Sequence, residues 1–125
     1  MMDFENTIAN VDRRLLQFKG LQTLQVNLGN RCNQSCTHCH VQAGPDGRKI
    51  MSREVMKMII VFLQNHKGLA VDVTGGCPEL NPEFKSFINS IFELSSRLIV
   101  RTNLTIFFEP GLDCIAGATT IPPDA

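Results

Sequence analysis

Residues 21–39 read Leu-Gln-Thr-Leu-Gln-Val-Asn-Leu-Gly-Asn-Arg-Cys-Asn-Gln-Ser-Cys-Thr-His-Cys, and this stretch decides the fold. Its first part alternates, because Leu24, Val26 and Leu28 share one face and the polar residues between them share the other. Alternation with a period of two predicts a β-strand with one buried face. The strand leads directly into a loop rich in cysteine.

The loop carries Cys32, Cys36 and Cys39 within eight residues. This spacing gathers three thiolates on one loop, and thiolates are common ligands of zinc and of iron–sulfur clusters. Three protein ligands leave one coordination position open, which a catalytic metal centre needs in order to bind a substrate. The loop therefore predicts a metal centre with a free position.

The composition excludes several classes of protein. The chain has 125 residues, which corresponds to one domain or part of one, and 43% of them are hydrophobic, enough for a packed core. Twelve basic and twelve acidic residues give a net charge of zero, so nucleic acid is not an expected partner. The longest apolar run, residues 58–63, is far shorter than the roughly 20 residues that span a bilayer.

The same features predict a cytoplasmic protein without a membrane partner, since the N-terminus lacks a signal-type apolar segment. The chain has five cysteines, an odd number with three in one cluster. This pattern favours metal binding by reduced thiols over a disulfide framework.

Beyond the loop, the chain alternates between helical and strand patterns. Apolar residues at three- or four-residue steps predict an N-terminal helix ending at Gly20. Ser52 is expected to cap a second helix, with Val55, Met58, Ile59, Phe62 and Leu63 on its apolar face. Asn81-Pro82 is expected to begin a third helix, with Phe84, Phe87, Ile88, Ile91 and Phe92 on its apolar face.

Two further strands are predicted, at residues 69–74 and 98–102. The order strand, helix, strand, helix, strand indicates an α/β fold in which parallel strands are joined by right-handed crossovers. Gly75-Gly76 ends the second strand, where the missing Cβ atoms would let the backbone approach a ligand closely.

The cysteine loop and the segment Thr74-Gly75-Gly76-Cys77-Pro78-Glu79 together resemble the cluster and cofactor motifs of radical S-adenosylmethionine (radical SAM) enzymes. Arg101-Thr102-Asn103 ends the third strand, where such enzymes often place another cofactor contact. Longer strings, at residues 27–33, 39–45, 74–81 and 103–111, are similar to the arsenosugar-biosynthesis radical SAM family. The resemblance covers about residues 20–111.

The resemblance implies that Cys32, Cys36 and Cys39 hold three irons of a [4Fe-4S] cluster, whose fourth iron chelates SAM. Reductive cleavage of SAM would then give a 5'-deoxyadenosyl radical, with the cofactor carrying the difficult chemistry. The family's substrate is implied to be a small molecule, a methylated arsenical, and the electron donor a flavodoxin or ferredoxin.

The resemblance also implies a set of SAM contacts. His38 would lend its backbone and ring to the adenine, and Gly75 and Gly76 would lie against the methionine moiety. Glu79 or a nearby carbonyl would receive the ammonium group, and Asn103 the carboxylate or ribose. No catalytic side chain is assigned.

Each of these residues also has a structural interpretation. The loop could hold structural zinc, with His38, His40 or Cys77 completing a tetrahedron, although ligation by neighbours of Cys39 is strained. Gly75-Gly76 could be an ordinary turn, and Asn103 a turn or cap residue. Cys77 and Cys114, which have no partner at a useful spacing, are expected to be small buried residues.

The sequence departs from the family at two positions near the site. The arsenosugar family commonly has Cys where this chain has Thr102, and Ala where it has Cys77. One hypothesis is that Cys77 supplies the thiol missing at residue 102.

Three segments are predicted: an N-terminal helical segment, 1–20, a partial radical SAM domain, 21–111, and an irregular tail, 112–125. The resemblance implies the N-terminal half of a partial (β/α)6 TIM-type barrel, because a whole one needs roughly 180 residues at about 30 per βα unit. An open third strand predicts dimerisation or aggregation. The alternatives to an enzyme are a non-enzymatic metal-binding module and an inactive truncated product.

Overall fold

The structure, a computed structural model, describes residues 3–39 and 41–109. Three strands are present in this part of the chain: β1 (Thr23–Asn27), β2 (Ala70–Thr74) and β3 (Arg97–Val100). The α-helices are α1 (Phe4–Asp12), α2 (Arg53–Asn65) and α3 (Phe84–Phe92). Short 3-10 turns cover Arg13–Leu16, Pro78–Leu80 and Thr105–Phe108.

The strands form one parallel sheet in the order β1-β2-β3. Val26 pairs with Val73, and Val73 pairs with Val100, so the carboxyl ends of the strands meet at one edge. The predicted α/β class is confirmed, with helices between parallel strands. The arrangement is consistent with part of a (β/α) barrel.

The core lies between one face of the sheet and helices α2 and α3. Val71 and Val73 of the central strand are fully buried, and they belong to one cluster with Leu63 and Ile91 of the two helices. Burial of each such side chain contributes about 1.5–3 kcal/mol. This apolar layer fixes the sheet on which the loops at the strand ends are built.

The apolar face of α2 agrees with the predicted one at Ile59, Phe62 and Leu63 and differs at Val55 and Met58. Ser52 caps the helix as expected, since its hydroxyl accepts a hydrogen bond from the Val55 N–H at 3.3 Å. Met56 and Leu63 are the buried residues of α2, whereas Val55 and Met58 are 43% and 71% exposed. Because residues 58–63 are all apolar, the sequence permitted more than one stripe at helical spacing.

The start of α3 was also predicted incorrectly. Asn81-Pro82 was expected to begin the helix, but Asn81 ends the preceding 3-10 turn and α3 begins at Phe84. The Asn81 amide instead donates hydrogen bonds to the carbonyls of Leu28, at 3.0 Å, and Met51, at 3.1 Å. Its oxygen accepts from the Glu83 N–H at 2.9 Å. Asn81 thus joins three segments near the ends of β1 and β2.

The N-terminal helix is shorter than the predicted segment. Its α-helical part ends at Asp12, and none of its residues is buried. Phe4 and Val11 are 72% and 77% exposed, so the apolar side of α1 is not covered by the described part of the chain. The predicted tail, 112–125, lies outside the described residues.

An ion pair joins buried Asp72 to the exposed side chain of Arg101. Asp72 of β2 accepts hydrogen bonds from the Arg101 guanidinium, the shortest at 2.8 Å, and from the Gln25 amide at 3.3 Å. The Arg101 hydrogen bonds hold the pKa of the Asp72 carboxyl below its usual range. Within the described ranges, no helix is both long and apolar enough to cross a membrane.

Replacement of Asn81 should destabilise the fold. In Asn81→Ala the Met51 carbonyl and the Glu83 N–H lose their partner in a partly buried setting, which should lower the free energy of unfolding by about 1–3 kcal/mol. Urea unfolding of the two proteins measures this difference. Asn89→Ala, at an exposed position of α3, is the matched control and should change the stability little. Equal stabilities for Asn81→Ala and the wild type would contradict this role.

Candidate functional site

The cysteine loop begins where β1 ends and is tied back onto itself. The Cys32 N–H donates to the Gly44 carbonyl at 3.0 Å, and the Gly44 N–H donates to the Asn30 carbonyl at 3.1 Å. A second connection pairs Gly29 with Ile50 in an antiparallel bridge. These bonds hold the loop at the carboxyl edge of the sheet, the position where parallel α/β sheets usually bind ligands.

Gly75 and Gly76 let the turn after β2 press against this loop. A Cβ on Gly76 would lie 2.4 Å from the Arg31 carbonyl oxygen and 2.8 Å from the Ala43 Cβ. Gly75 has a φ of +150°, and a Cβ there would lie 2.9 Å from the Gly29 oxygen. The close packing of the two turns thus requires glycine at both positions. Their predicted contact with the methionine moiety of SAM stays a prediction.

The three loop cysteines differ in their surroundings. Cys32 is buried, Cys36 is exposed and Cys39 is intermediate. The Cys39 Sγ accepts a hydrogen bond from the Ala43 N–H at 3.4 Å, and the N–H groups of Ala43 and Val41 lower the pKa of its thiol. The thiolate of Cys39 is therefore favoured, as a metal ligand requires.

The structure does not bring these three thiols together as a ready ligand set. Among residues 3–39 and 41–109, no group of three or more His, Cys, Asp or Glu side chains is arranged to hold a metal ion. The donor set nevertheless fits an iron–sulfur cluster chemically, since three free thiols share one loop and one of them has a lowered pKa.

Cys77 is buried, as predicted, and it contacts the cysteine loop, which only the zinc alternative anticipated. It was expected to have no partner, but its Sγ lies 3.3 Å from the Cys32 Sγ and 3.4 Å from the Asn33 Oδ1. Cys77 is only 3% exposed, and burial raises the pKa of its thiol to about 12. One signal in the sequence could have indicated this contact. Cys77 follows the second predicted strand closely, and the carboxyl ends of neighbouring parallel strands lie side by side.

Asn33 and Asn103 connect the cysteine loop to the end of β3. The Asn103 amide donates to the Asn33 Oδ1 at 2.7 Å, and its nitrogen lies 3.7 Å from the Cys32 Sγ. The Asn103 Oδ1 accepts from the Ile106 N–H at 3.1 Å, at the start of the 3-10 turn Thr105–Phe108. This bond agrees with the interpretation of Asn103 as a turn residue, and its predicted contact with SAM stays a prediction.

Glu79 is a buried carboxylate without a partner in the described part of the chain. It is 3% exposed, and neither carboxylate oxygen accepts a hydrogen bond from the described residues. It lies in the 3-10 turn Pro78–Leu80, which directly follows Cys77. Because an unpaired buried carboxylate is costly, Glu79 is suited to a cationic group of a ligand. This orphaned acceptor fits the ammonium of SAM.

Other features add less to the site. His38 is exposed, and its predicted contact with adenine stays a prediction. A depression of about 710 Å³ lies beside the start of α2, lined by Gly29, Gln42, Lys49 and Ser52 among others. Since neither the cysteines nor Glu79 line it, we do not assign the site to this depression.

The comparison with protein families agrees with the fold and the loop. Residues 26–115 match the radical SAM superfamily, which is most of the chain. This chain belongs to the radical SAM superfamily.

Curated relatives from several organisms are similar to the chain. It is 25% identical over 88 residues to the antilisterial bacteriocin subtilosin biosynthesis protein AlbA of Bacillus subtilis, covering 70% of this chain and 20% of AlbA. It is 28% identical over 97 residues to a probable GTP 3',8-cyclase of Pyrococcus horikoshii, covering 72% of this chain and 31% of that protein. It is 30% identical over 74 residues to the putative peptide biosynthesis protein YydG of Bacillus subtilis, covering 58% of this chain and 22% of YydG. The chain spans only 20–31% of the length of these relatives.

Cys39 and Cys77 should differ in their rates of alkylation in the native protein. A lowered pKa gives Cys39 more thiolate at a given pH, so iodoacetamide should modify it below the pH at which an ordinary thiol reacts. Cys77 should stay unmodified until the protein unfolds, because it is buried and its pKa is raised to about 12. Mass spectrometry of the digested protein over a pH series measures both. Urea-unfolded protein is the control, and native Cys77 reacting as fast as Cys39 would count against the structure.

Proposed function

We propose that this chain carries the cluster-binding and SAM-binding part of a radical SAM enzyme. The observation that supports it most is the combination at one sheet edge of a three-cysteine loop and, in the turn after β2, a buried carboxylate without a partner. Membership of the superfamily makes this combination meaningful, because a lone loop of three cysteines also suits other metals.

Three residues would hold the iron–sulfur cluster: Cys32, Cys36 and Cys39. With SAM bound, the cluster would supply an electron for cleavage of a carbon–sulfur bond, giving a 5'-deoxyadenosyl radical. The chain's own contribution is to present thiolates, and the backbone N–H groups of Val41 and Ala43 favour that form at Cys39. The remaining SAM contacts we propose are Gly75, Gly76, His38 and Asn103.

Glu79 would bind the ammonium group of SAM. Its carboxylate is buried and accepts no hydrogen bond from the described residues, so a cationic ligand would satisfy both oxygens at once. Binding the ammonium would fix the orientation of the cofactor with respect to the cysteine loop. A charged hydrogen bond of this kind contributes about 1.5–3 kcal/mol.

The proposed substrate is a methylated arsenical, to which the enzyme would join a 5'-deoxyadenosyl group in arsenosugar biosynthesis. The support is the similarity of residues 27–33, 39–45, 74–81 and 103–111 to that family. The proposed electron donor is a flavodoxin or ferredoxin, and the proposed location is the cytoplasm.

Anaerobic reconstitution with iron and sulfide tests the cluster. The wild-type chain should take up iron and gain thiolate-to-iron absorbance, and with SAM and dithionite it should release 5'-deoxyadenosine, measured by mass spectrometry. Cys36→Ala should lose both, because it removes one ligand. The cysteine control is Cys114→Ala, outside the proposed ligand set, which should behave as the wild type.

The outcomes separate the competing functions. Iron uptake with 5'-deoxyadenosine release supports the enzyme. Iron uptake without cleavage points to a chain that binds the cluster and does not cleave SAM. Zinc retained on purification, with no iron uptake, points to the metal-binding module and overturns the proposal.

A separate prediction concerns SAM binding by Glu79. In Glu79→Gln the carboxylate becomes a neutral amide of the same shape, so SAM affinity of the reconstituted protein should fall about tenfold or more. Equilibrium dialysis measures the affinity, and the iron content should stay unchanged. Glu83→Gln is the matched control, since Glu83 pairs with Arg53 in a partly exposed ion pair. An unaltered affinity in Glu79→Gln would remove Glu79 from the SAM site.

A further inference from the structure

The closest thiol pair in the described residues joins two different strand ends. Cys32 follows β1 and Cys77 follows β2, and their sulfur atoms lie 3.3 Å apart. A disulfide has a sulfur–sulfur distance of about 2.05 Å, so the two atoms would have to approach by about 1.3 Å. Small side-chain rotations can supply a movement of that size.

Backbone hydrogen bonds hold both residues in this relation. The Cys77 N–H donates to the Arg31 carbonyl at 2.7 Å, so Cys77 is bonded to the residue that precedes Cys32. The Cys32 N–H is held by the Gly44 carbonyl on the other side. Gly76 permits this close approach, because a Cβ there would collide with Arg31. The main chain thus holds the two residues side by side, and the rotamers of the two side chains set the distance between the sulfur atoms.

The surroundings suit a buried disulfide. Cys32 and Cys77 are 9% and 3% exposed and belong to an apolar cluster with Ala43 and Ile106. The Asn33 Oδ1, which accepts from the Cys77 thiol, also accepts from the Asn103 amide and would keep that partner after oxidation. Oxidation would remove only weak hydrogen bonds, those that the Cys77 and Cys32 thiols donate to the Asn33 Oδ1 at 3.4 and 3.9 Å.

We infer that Cys32 and Cys77 form a site of reversible oxidation, closing to a disulfide with a low-molecular-weight disulfide as the oxidant. Cys32, the more exposed of the two, attacks the small disulfide, forms a mixed disulfide and releases one small thiol. The Cys77 sulfur then displaces the second small thiol and completes the Cys32–Cys77 bond. Two protein thiols are oxidised, one small disulfide is reduced, and the two protons pass to the released thiols.

The consequence for the metal centre rests on the proposed function. Cys32 is one of the three proposed cluster ligands, and a sulfur in a disulfide cannot act as a thiolate ligand. Oxidation of the pair would therefore block cluster assembly in the apo chain, and a reductant would restore it. A bound cluster would in turn occupy Cys32 and prevent the disulfide.

Disulfide mapping of the full apo chain tests the inference directly. The chain is incubated with oxidised glutathione, unfolded, alkylated at its free thiols and digested with trypsin. Trypsin places Cys32, Cys36 and Cys39 on peptide 32–48 and Cys77 on peptide 68–85. We expect the two peptides to be linked, with Cys36 and Cys39 alkylated, and two of the five thiols to be lost.

Controls identify the linked pair without relying on a single variant. Cys36→Ser should leave the linked peptide unchanged, while Cys77→Ala should remove it. Wild-type protein in which Cys77 is linked instead to Cys36 or Cys39, or is fully alkylated after oxidation, overturns the inference. The wild-type mapping decides the question even where a variant fails to fold.

Iron uptake by the oxidised chain separates this inference from the proposed function. We expect oxidised wild type to lose iron uptake and to recover it after reduction. A mapped Cys32–Cys77 disulfide in a chain whose reduced form never takes up iron would sustain the inference and overturn the proposed function. Iron uptake by the reduced chain without any Cys32–Cys77 disulfide after oxidation would overturn the inference and support the proposed function.

Discussion

Two backbone hydrogen bonds join the turn after β1 to the turn after β2, and the site depends on them. The N–H groups of Gly76 and Cys77 donate to the carbonyls of Gly29 and Arg31, at 3.0 and 2.7 Å. A Cβ at residue 76 would collide with the Arg31 carbonyl and a Cβ at residue 75 with the Gly29 carbonyl, so the contact requires both glycines. Because the two strands are neighbours in a parallel sheet, the contact places the cysteine loop beside the turn that leads to Glu79.

Much of the fold could be predicted because its signals are local. Alternation in residues 24–28 and the cap at Ser52 each depend on a few neighbouring residues, and the structure agrees with both. The errors arose where a pattern was ambiguous or where a distant partner decided the outcome. A nearly continuous apolar run concealed which face of α2 is buried, and Asn81 was taken for a helix cap although its amide binds carbonyls 30 and 53 residues away in sequence.

The candidate site likewise has features that the sequence predicts and features that only the structure reveals. The cysteine loop could be found from the sequence because its three thiols lie within eight residues. The partner of Cys32 could not, since Cys77 is 45 residues away and meets it only through the register of β1 and β2. The link from Asn33 to Asn103 spans 70 residues and depends on the third strand. Residue types near a strand end are visible in a sequence, whereas the pairing of strand ends is a property of the sheet.

The separation of Cys32 and Cys77 along the chain has a consequence for the order of events during synthesis. Cys32 is synthesised 45 residues before Cys77. The Arg31 carbonyl therefore has no hydrogen bond from the Cys77 N–H until those 45 residues have been added. At about 5–20 residues per second, the loop spends several seconds on the ribosome without the turn that supports it. During that time its thiols are held by no sheet edge and are open to stray metal ions. The timing of translation therefore sets a period in which the nascent loop is chemically exposed, and the emergence of β2 ends it.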